Sequence, residues 1–231
     1  MLATIKTFLA YAVEQDVILV SPAAAIRPPA PQTARERTLT DDELGAVLEA
    51  CAGLGEYGAI VRLLILTGQR RSEVAEMRWS EVDMTGRVWN IPAARCKNGR
   101  AHSVPLSAQA IDCVRWLCPA LGELSGPVFA PQSFSRCKGE LDAELKAGTG
   151  IQLPPWVLHD LRRTAASGMA GLGVQLPVIE KVLNHQSGSF RGVCGVYQRH
   201  SFSAEKRSAL ELWGAHVVTL EPSAVALSKA A

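Results

Sequence analysis

The stretch YGAIVRLLILTGQRRSEVAEM, from Tyr57 to Met77, indicates what kind of fold the chain adopts. Its first half, residues 57–67, is apolar nearly all round, which predicts a helix buried on every side. Gly68 then stops that helix, and residues 70–77 begin a second, short one. An arginine that emerges from so apolar a run, Arg70, is held by rigid elements.

The segments around this stretch predict a mainly α-helical fold with a small antiparallel β-sheet. Upstream, Thr40 and Glu43 have the spacing of a capping box for a helix that ends near Ala52. Downstream, residues 87–92 and 101–106 alternate as strands and flank the turn CKNGR, which predicts a hairpin. Further helices are predicted at residues 107–117, 135–146, 159–170, 176–183 and 204–218, with a short one reaching Tyr197.

Four regions follow from this pattern. Residues 1–27 contain one amphipathic helix at residues 3–18, residues 28–37 form a linker rich in Pro and Ala, residues 38–220 form the main domain, and residues 221–231 are predicted to be a disordered tail. A lone helix ahead of a linker cannot bury its own apolar face. It therefore either docks on the main domain or is the remainder of a missing one.

Composition describes an ordinary soluble globular protein, because 48% of the 231 residues are apolar and 20% are charged. The sequence has no charge-free apolar run of membrane-spanning length and no convincing signal peptide. Its six cysteines include no C-x-x-C pair, so neither a zinc site nor a disulfide framework is expected. Reduced thiols in a cytoplasmic protein are the default.

Charge distribution says more about partners than the net charge of +2 does. Acidic residues crowd into residues 41–56, whereas residues 84–111 and 181–204 carry only positive charge. The first basic segment covers the hairpin, and a basic hairpin can enter a DNA groove. The second surrounds Tyr197, one of only three tyrosines in the chain. Nearby positive charge favours a phenolate nucleophile, although a helical tyrosine is more often a core residue.

Other side chains suit phosphate chemistry, each with an ordinary alternative. Arg70 could clamp two phosphate oxygens with Glu73 orienting its guanidinium, or the two could be a solvated ion pair, while Arg71 is interpreted as a surface residue. Lys97, in the hairpin turn, could protonate a leaving alkoxide or simply be solvated.

Two histidines complete the set of candidates. His159 and Arg162 lie at i and i+3 on one helix face near a helix N-terminus that attracts anions. His185 follows a predicted helix, where it could cap carbonyls or contact a phosphate.

Together and in this order, these stretches resemble the catalytic domain of the tyrosine recombinases, the family of phage-type integrases. The matching stretches are LTGQRRSEVAEMRW, KNGRAHSVPLS, HDLRRTAASGM, VLNHQSG and VYQRHSFSAEKRSALELW. They extend over about residues 37–213, most of the chain. One departure is Asn184, where the family commonly has glycine before the histidine.

The resemblance implies site-specific DNA recombination by strand cleavage and rejoining. Tyr197 would attack the scissile phosphate and form a 3′-phosphotyrosyl link. Arg70, Arg162 and His185 would contact that phosphate, and His159 would do so or assist deprotonation of Tyr197. Lys97 would protonate the leaving 5′-oxygen, and Glu73 would support Arg70. Because one phosphodiester is exchanged for another, no ATP or redox cofactor is expected. No metal is expected either, because the sequence shows no carboxylate cluster suited to Mg²⁺.

The same resemblance implies double-stranded DNA attachment sites as partners, a tetramer on DNA, and possible accessory DNA-bending or directionality factors. Further DNA contacts are expected from Arg95, Arg100, Arg191 and Arg199. An apolar stripe of Leu210, Trp213 and Val217 could pack on a neighbouring subunit or on its own domain.

Family members usually carry a core-site-binding helical domain before the linker, and residues 1–27 are interpreted as its last helix. Two alternatives therefore stay open. One is a truncated remnant that binds DNA or a full-length partner without completing recombination. The other, a type IB topoisomerase-like enzyme that nicks and reseals one strand, is disfavoured by the phage-type flanks.

Overall fold

The computed structural model describes residues 2–27, 36–118, 124–150, 153–185 and 201–221. The chain divides into two compact units, Met1–Glu36 and Arg37–Ala231. In the first unit, helix α1 (Leu2–Glu14) has no buried residue, and Lys6 Nζ donates a hydrogen bond to the Ala24 carbonyl at 3.2 Å. The helix is shorter than the sequence predicts, because the backbone turns away at Asp16, which has a φ of 54°.

The second unit is mainly helical, as predicted. Its described helices are α2 (Asp41–Ala50), α3 (Gly55–Thr67), α4 (Arg71–Ala75), α5 (Ala108–Trp116), α6 (Phe134–Thr149), α7 (Leu158–Gly171), α8 (Leu176–Val182) and α9 (Ser203–Leu220). The predicted short helix reaching Tyr197 falls outside the described residues.

A small antiparallel sheet accompanies these helices. Its strands β1 (Val82–Asp83), β2 (Val88–Ile91) and β3 (His102–Pro105) lie in that order, and β2 and β3 are the predicted hairpin. Strand β1 was not predicted, since two residues are too few to show an alternating pattern. Ile91 pairs with His102 across the hairpin, which fixes where its turn begins.

Helix α3 forms the centre of the core, packed against α5, α7 and α9. Ile60, Val61 and Leu63 on it are fully buried, which confirms the helix predicted to be apolar all round. Gly68 ends it with a φ of 63°, a left-handed conformation that glycine adopts without strain. The capping box at Thr40 and Glu43 is also present.

The apolar stripe on α9 packs within its own domain. Leu210, Trp213 and Val217 are each 1% exposed, and Trp213 Nε1 donates a hydrogen bond to the Ile65 carbonyl at 2.8 Å. The ring also lies against Gly168 of α7, where an added Cβ would be 2.2 Å from it. This tight contact ties α9 to α3 and α7 and decides between the two alternatives for the stripe.

The cysteines of the described segments are all free thiols. Cys51 is buried, and burial raises its pKa to about 12, so its thiol is a packing group at neutral pH. Cys194 lies outside the described residues. Within the parts of the chain that the structure describes, we find no helix both long enough and apolar enough to span a bilayer.

Candidate active site

A cavity of about 520 Å³ opens on the second unit where α4, the hairpin turn, α6 and α7 meet. Arg70, Lys97, His159 and Arg162, four of the predicted catalytic residues, line this cavity together. Five of its lining residues are Arg or Lys, and none of those described is Asp or Glu. The cavity is therefore suited to an anion.

Arg70 owes its position to the end of α3. The chain leaves Gly68, buries Gln69, and places Arg70 in an extended conformation as the residue before α4. Glu73, only 2% exposed, accepts a hydrogen bond from the Arg70 backbone N–H at 3.0 Å and another from its Nη1 at 2.8 Å. The carboxylate thus fixes both the backbone and the guanidinium of Arg70.

Arg162 is held from inside the protein. It is 4% exposed, its Nη1 donates to the Gly68 carbonyl at 2.6 Å, and its Nη2 donates to the Leu183 carbonyl. Burial, together with the nearby charge of Arg70, lowers its pKa to about 10, so it remains charged at neutral pH. A buried cation beside a second cation favours an anionic ligand, which would offset both charges.

His159 stands in the first turn of α7, where it is exposed and lines the cavity. Burial of the ring and the positive charges of Arg163 and Arg162 lower its pKa below the ordinary value. The imidazole is therefore neutral at pH 7 and able to accept a proton. The turn itself is fixed by Asp160, which accepts hydrogen bonds from the Val157 N–H at 2.9 Å and from Arg163 Nη1 at 2.6 Å.

Lys97 is exposed and lies in the hairpin turn (residues 96–100) between β2 and β3. Next to it, Asn98 Nδ2 donates hydrogen bonds to the Asn184 carbonyl at 3.1 Å and to Asn184 Oδ1 at 2.9 Å. The turn that carries the lysine is thus attached to the segment that follows α8.

His185 follows Asn184 and is not among the residues that line the cavity. Its Nδ1 lies 3.4 Å from Glu180 Oε1, and its backbone N–H donates to the Glu180 carbonyl at 3.0 Å. Burial and the charge of Arg162 lower its pKa, while Glu180 acts in the opposite direction. His185 lies two residues after Leu183, whose carbonyl accepts a hydrogen bond from Arg162.

The backbone carbonyl groups at the α8 end (residues 182–184) are contacted by four side chains that come from separate elements. The last carbonyls of a helix lack partners within it. The Val182 carbonyl accepts from Gln69 Nε2 at 2.9 Å and lies 2.9 Å from His102 Nε2, and the next two carbonyls accept from Arg162 and Asn98. These bonds hold the end of α3, the hairpin and α7 at fixed positions relative to the end of α8.

His102 of β3 is buried at this junction. Burial first, and then the charge of Lys206, lower its pKa to about 4. Since a carbonyl can only accept, the neutral ring donates from Nε2 to Val182. A role for His102 or Gln69 was not predicted, because a lone polar residue in a strand or loop gives no sign of a partner 80 or more positions away.

The predicted DNA contacts have different outcomes. Arg95 is turned inward, since its guanidinium pairs with Glu81 and donates to the Glu73 carbonyl at 2.5 Å. Arg100 is exposed in the hairpin turn. Arg191 and Arg199 lie outside the described residues, and so does Tyr197, the predicted nucleophile.

Two further cations line the cavity and were not predicted to. The guanidinium carbon of Arg71 is 4.8 Å from the ring centroid of Phe134, and Lys138 Nζ is 3.9 Å from that of Trp156. Lys138 also pairs with Asp142 at 2.6 Å. Arg71 is on the surface, as interpreted, and it also lines the cavity. The sequence signal for this side of the cavity was the spacing of Phe134 and Lys138, which lie at i and i+4 on one face of α6.

Among the described residues, no group of three or more His, Cys, Asp or Glu side chains is arranged to hold a metal ion. What the cavity offers instead is three guanidinium groups, two lysines and a neutral imidazole around one space. This arrangement can bind a phosphodiester, stabilise the negative charge on its oxygens and exchange protons with it.

Comparison with known sequences points to one family. The sequence model described as "Phage integrase family" matches residues 37–203. A prophage integrase of Escherichia coli K12, IntA, is 32% identical over 167 residues, which cover 71% of this chain and 39% of that protein. The tyrosine recombinase XerC of Myxococcus xanthus is 26% identical over 209 residues, covering 80% of this chain and 66% of that protein. The chain thus spans less than two thirds of the length of either relative.

Solved structures share the fold. An integrase from mycobacterium phage Brujita superposes with a TM-score of 0.59 at 15% identity, over 96% of this chain and 76% of that one. A lambda integrase dimer bound to a core site gives 0.59 at 22% identity, over 80% of this chain and 70% of that one. These matches confirm the fold class predicted from the sequence.

Proposed function

We propose that this chain, which belongs to the phage integrase family, is the catalytic part of a site-specific recombinase that cleaves and rejoins DNA through a 3′-phosphotyrosyl intermediate. The observation that carries the proposal is the cavity lined by Arg70, Lys97, His159 and Arg162 with no described acidic residue in its lining. Phosphoryl transfer is accelerated mainly by positioning and by stabilisation of charge, and these four side chains can supply both.

Arg70 and Arg162 bind the non-bridging oxygens of the scissile phosphate. Attack makes the phosphorus pentavalent and concentrates charge on those oxygens, so donors fixed in advance stabilise the transition state more than the ground state. Glu73 fixes Arg70, and two carbonyl groups fix Arg162. Both guanidiniums are thus held in place before DNA arrives.

Tyr197 supplies the nucleophile, on the strength of its sequence context and of the family match that extends to residue 203. Its hydroxyl oxygen bonds to phosphorus while the hydroxyl proton leaves. A free tyrosine has a pKa near 10, so the proton needs an acceptor at neutral pH. His159 is the candidate, because its lowered pKa leaves the imidazole neutral.

Lys97 completes the cleavage step at the opposite bond. As the bond between phosphorus and the 5′-oxygen breaks, the electron pair stays on that oxygen and the lysine ammonium protonates it. The products are a 3′-phosphotyrosine and a 5′-hydroxyl. Rejoining reverses each transfer when a 5′-hydroxyl, on the same strand or another one, attacks the phosphotyrosine.

Arg71 and Lys138 line the cavity, and Arg100 is exposed in the hairpin turn. We assign to them contacts with phosphates beside the scissile one. Such contacts set the position of the duplex and carry no base preference. Arg95 is not assigned a DNA contact, since its guanidinium is bound inside the protein.

Partners are inferred from the relatives. The lambda integrase of known structure is bound as a dimer to a core site and as a tetramer to a Holliday junction. We infer that this chain likewise acts on double-stranded attachment sites as a tetramer, with accessory DNA-bending or directionality factors as further candidates.

Cleavage can be tested with a pool of sequences in place of one defined attachment site. Nicked duplexes with a randomised core are incubated with the protein, and DNA that stays attached under denaturing conditions is recovered and sequenced. We expect a covalent adduct with a defined core sequence and none with Tyr197→Phe. An adduct that persists in that variant overturns the assignment.

The same assay separates the alternatives. Recombination predicts that the recovered core is rejoined to a second duplex, whereas a nicking-resealing enzyme rejoins only the strand it cut. Salt-sensitive DNA binding without any adduct favours the remnant that binds DNA but does not cleave it.

A further inference from the structure

Asn184 adopts a backbone conformation that usually belongs to glycine. Its φ is 50°, in the left-handed region that strains most side chains and that asparagine tolerates better than most. Glycine would occupy this position without strain. Asparagine is tolerated here, and what its side chain adds over a glycine comes from its contacts.

Those contacts join two asparagines from separate elements. Asn98 Nδ2 donates to both the carbonyl and Oδ1 of Asn184, and Asn184 Nδ2 lies 3.4 Å from Asn98 Oδ1. The paired amides are 86 residues apart in sequence, and both are partly buried. A reciprocal amide pair of this kind fixes the relative orientation of the two segments.

Asn98 follows Lys97 directly, and Asn184 stands between Leu183, whose carbonyl binds Arg162, and His185. Within the hairpin turn, the Gly99 N–H donates to the Cys96 carbonyl at 2.8 Å and the Arg100 N–H donates to Asn98 Oδ1 at 3.2 Å. Lys97 itself is an exposed, flexible side chain. The bonds that Asn98 makes tie the backbone of the neighbouring Lys97 to the segment whose Leu183 carbonyl binds Arg162.

We propose that Asn98 and Asn184 are positioning residues that hold Lys97 at the leaving 5′-oxygen in register with Arg162. This inference rests on the proposed function. Neither amide touches the reacting atoms, and they act through the lysine. A proton donor contributes to the rate only when it lies within hydrogen-bond reach of the atom it protonates, and the amide pair supplies that placement.

The test uses two versions of the recovered duplex, one natural and one with sulfur in place of the bridging 5′-oxygen. A thiolate leaves without protonation because its pKa is far lower than that of an alcohol. Asn184→Gly removes the side chain and relaxes the backbone, and Asn98→Ala removes its partner. We expect each to slow cleavage of the natural duplex roughly 10- to 100-fold and to leave the sulfur duplex unaffected.

The double variant provides a second criterion. If the two amides act as one unit, Asn98→Ala with Asn184→Gly is no slower than the slower single variant. Asn90→Ala, an exposed asparagine on β2, is the matched control and should keep the wild-type rate. Equal slowing of both duplexes, or effects that multiply in the double variant, overturns the proposal.

Backbone amide exchange of residues 96–101 tests the pairing of Asn98 with Asn184, here called the clamp, without any cleavage. Asn184→Gly should speed exchange in this segment and leave the exchange of α3 unchanged. Unchanged exchange at residues 96–101 overturns the clamp whatever the cleavage results are. Absence of cleavage by the unmodified chain refutes the proposed function instead, and faster exchange then still supports the clamp.

Discussion

Helix α7 and the hairpin turn both present functional groups to one cavity, but they hold them by different means. On α7, Arg162 is buried and bonded to the backbone carbonyls of Gly68 and Leu183. In the hairpin turn, Lys97 is exposed and depends on its neighbour's amide for placement. The first arrangement couples catalysis to folding, because the same bonds serve both. The second allows a side chain to be changed with little effect on stability.

Replacing Arg162 gives the largest effect and tests the first half of this comparison. Arg162→Ala leaves the carbonyls of Gly68 and Leu183 without their donor, at about 1–3 kcal/mol each in unfolding free energy. It also removes a charge from the transition state, which lowers the cleavage rate about 10³-fold. Urea unfolding and single-turnover adduct formation measure the two losses.

Arg162→Lys gives a second measurement should the alanine variant fold poorly. A lysine keeps the charge but cannot bond both carbonyls, so both losses should persist in part. Ser167→Ala, at an exposed position on the same helix, is the control and should change the unfolding free energy by less than about 0.5 kcal/mol. Normal stability in Arg162→Ala would contradict the coupling of folding and catalysis.

Replacing Lys97 tests the other half. Lys97→Ala should lower the rate of cleavage about 100-fold, as expected for loss of a general acid, while unfolding free energy changes by less than about 0.5 kcal/mol. The rate should return to the wild-type value on the duplex with bridging sulfur. A slow rate on both duplexes would mean that Lys97 binds the phosphate rather than protonating the leaving group.

The pH dependence of the unfolding free energy tests the α8 end through His102, whose ring bonds the Val182 carbonyl there. Its pKa is about 4 in the folded protein and about 6.5 in the unfolded chain, so the unfolded chain binds more protons between these values. Stability is therefore full above pH 6.5 and falls as pH drops, by about 2 kcal/mol between pH 7 and pH 5.

Chemical denaturation at the two pH values measures this loss, and His102→Gln should reduce the pH dependence. Lys97→Ala should leave it unchanged, because the hairpin lysine is not part of that junction. A pH dependence that survives in His102→Gln would assign the loss to other groups.

The smallest expected effect concerns Arg71, at the cavity's mouth. Arg71→Gln should weaken DNA binding modestly and lower the steepness of its salt dependence by about one counterion. The catalytic rate on bound DNA should stay the same. Affinity measured over a series of salt concentrations checks this, and an unchanged salt slope would remove Arg71 from the DNA interface.

Much of the fold could be predicted because the relevant signals are local. The run of residues 57–67, the glycine that ends it and the capping box at Thr40 each act within one or two turns of helix. The same holds for the placement of Arg70 directly before the short helix that carries Glu73. The two-residue β1 and the early end of α1 were missed, because one is too short for a pattern and the other depends on the left-handed backbone of Asp16.

Partnerships across the sequence were a different matter. Arg95 has the same basic sequence context as Arg100, and yet it is bound to Glu81, 14 residues away, and to the backbone of Glu73. Arg71 has the sequence context of a surface residue, and yet it lies over Phe134 in the wall of the cavity. Neither outcome follows from spacing, since each depends on which element packs alongside.

The sequence by itself determined the family, the helical class and the residue types of the site, since these follow from motifs and from periods of a few residues. Only the tertiary structure decided which charges face the cavity and which are neutralised inside the protein. It also decided that Val182, Leu183 and Asn184 gather the side chains around the site. The reason is physical: carbonyls left unbonded at the end of α8 must find donors, and only folding brings those donors within hydrogen-bonding distance.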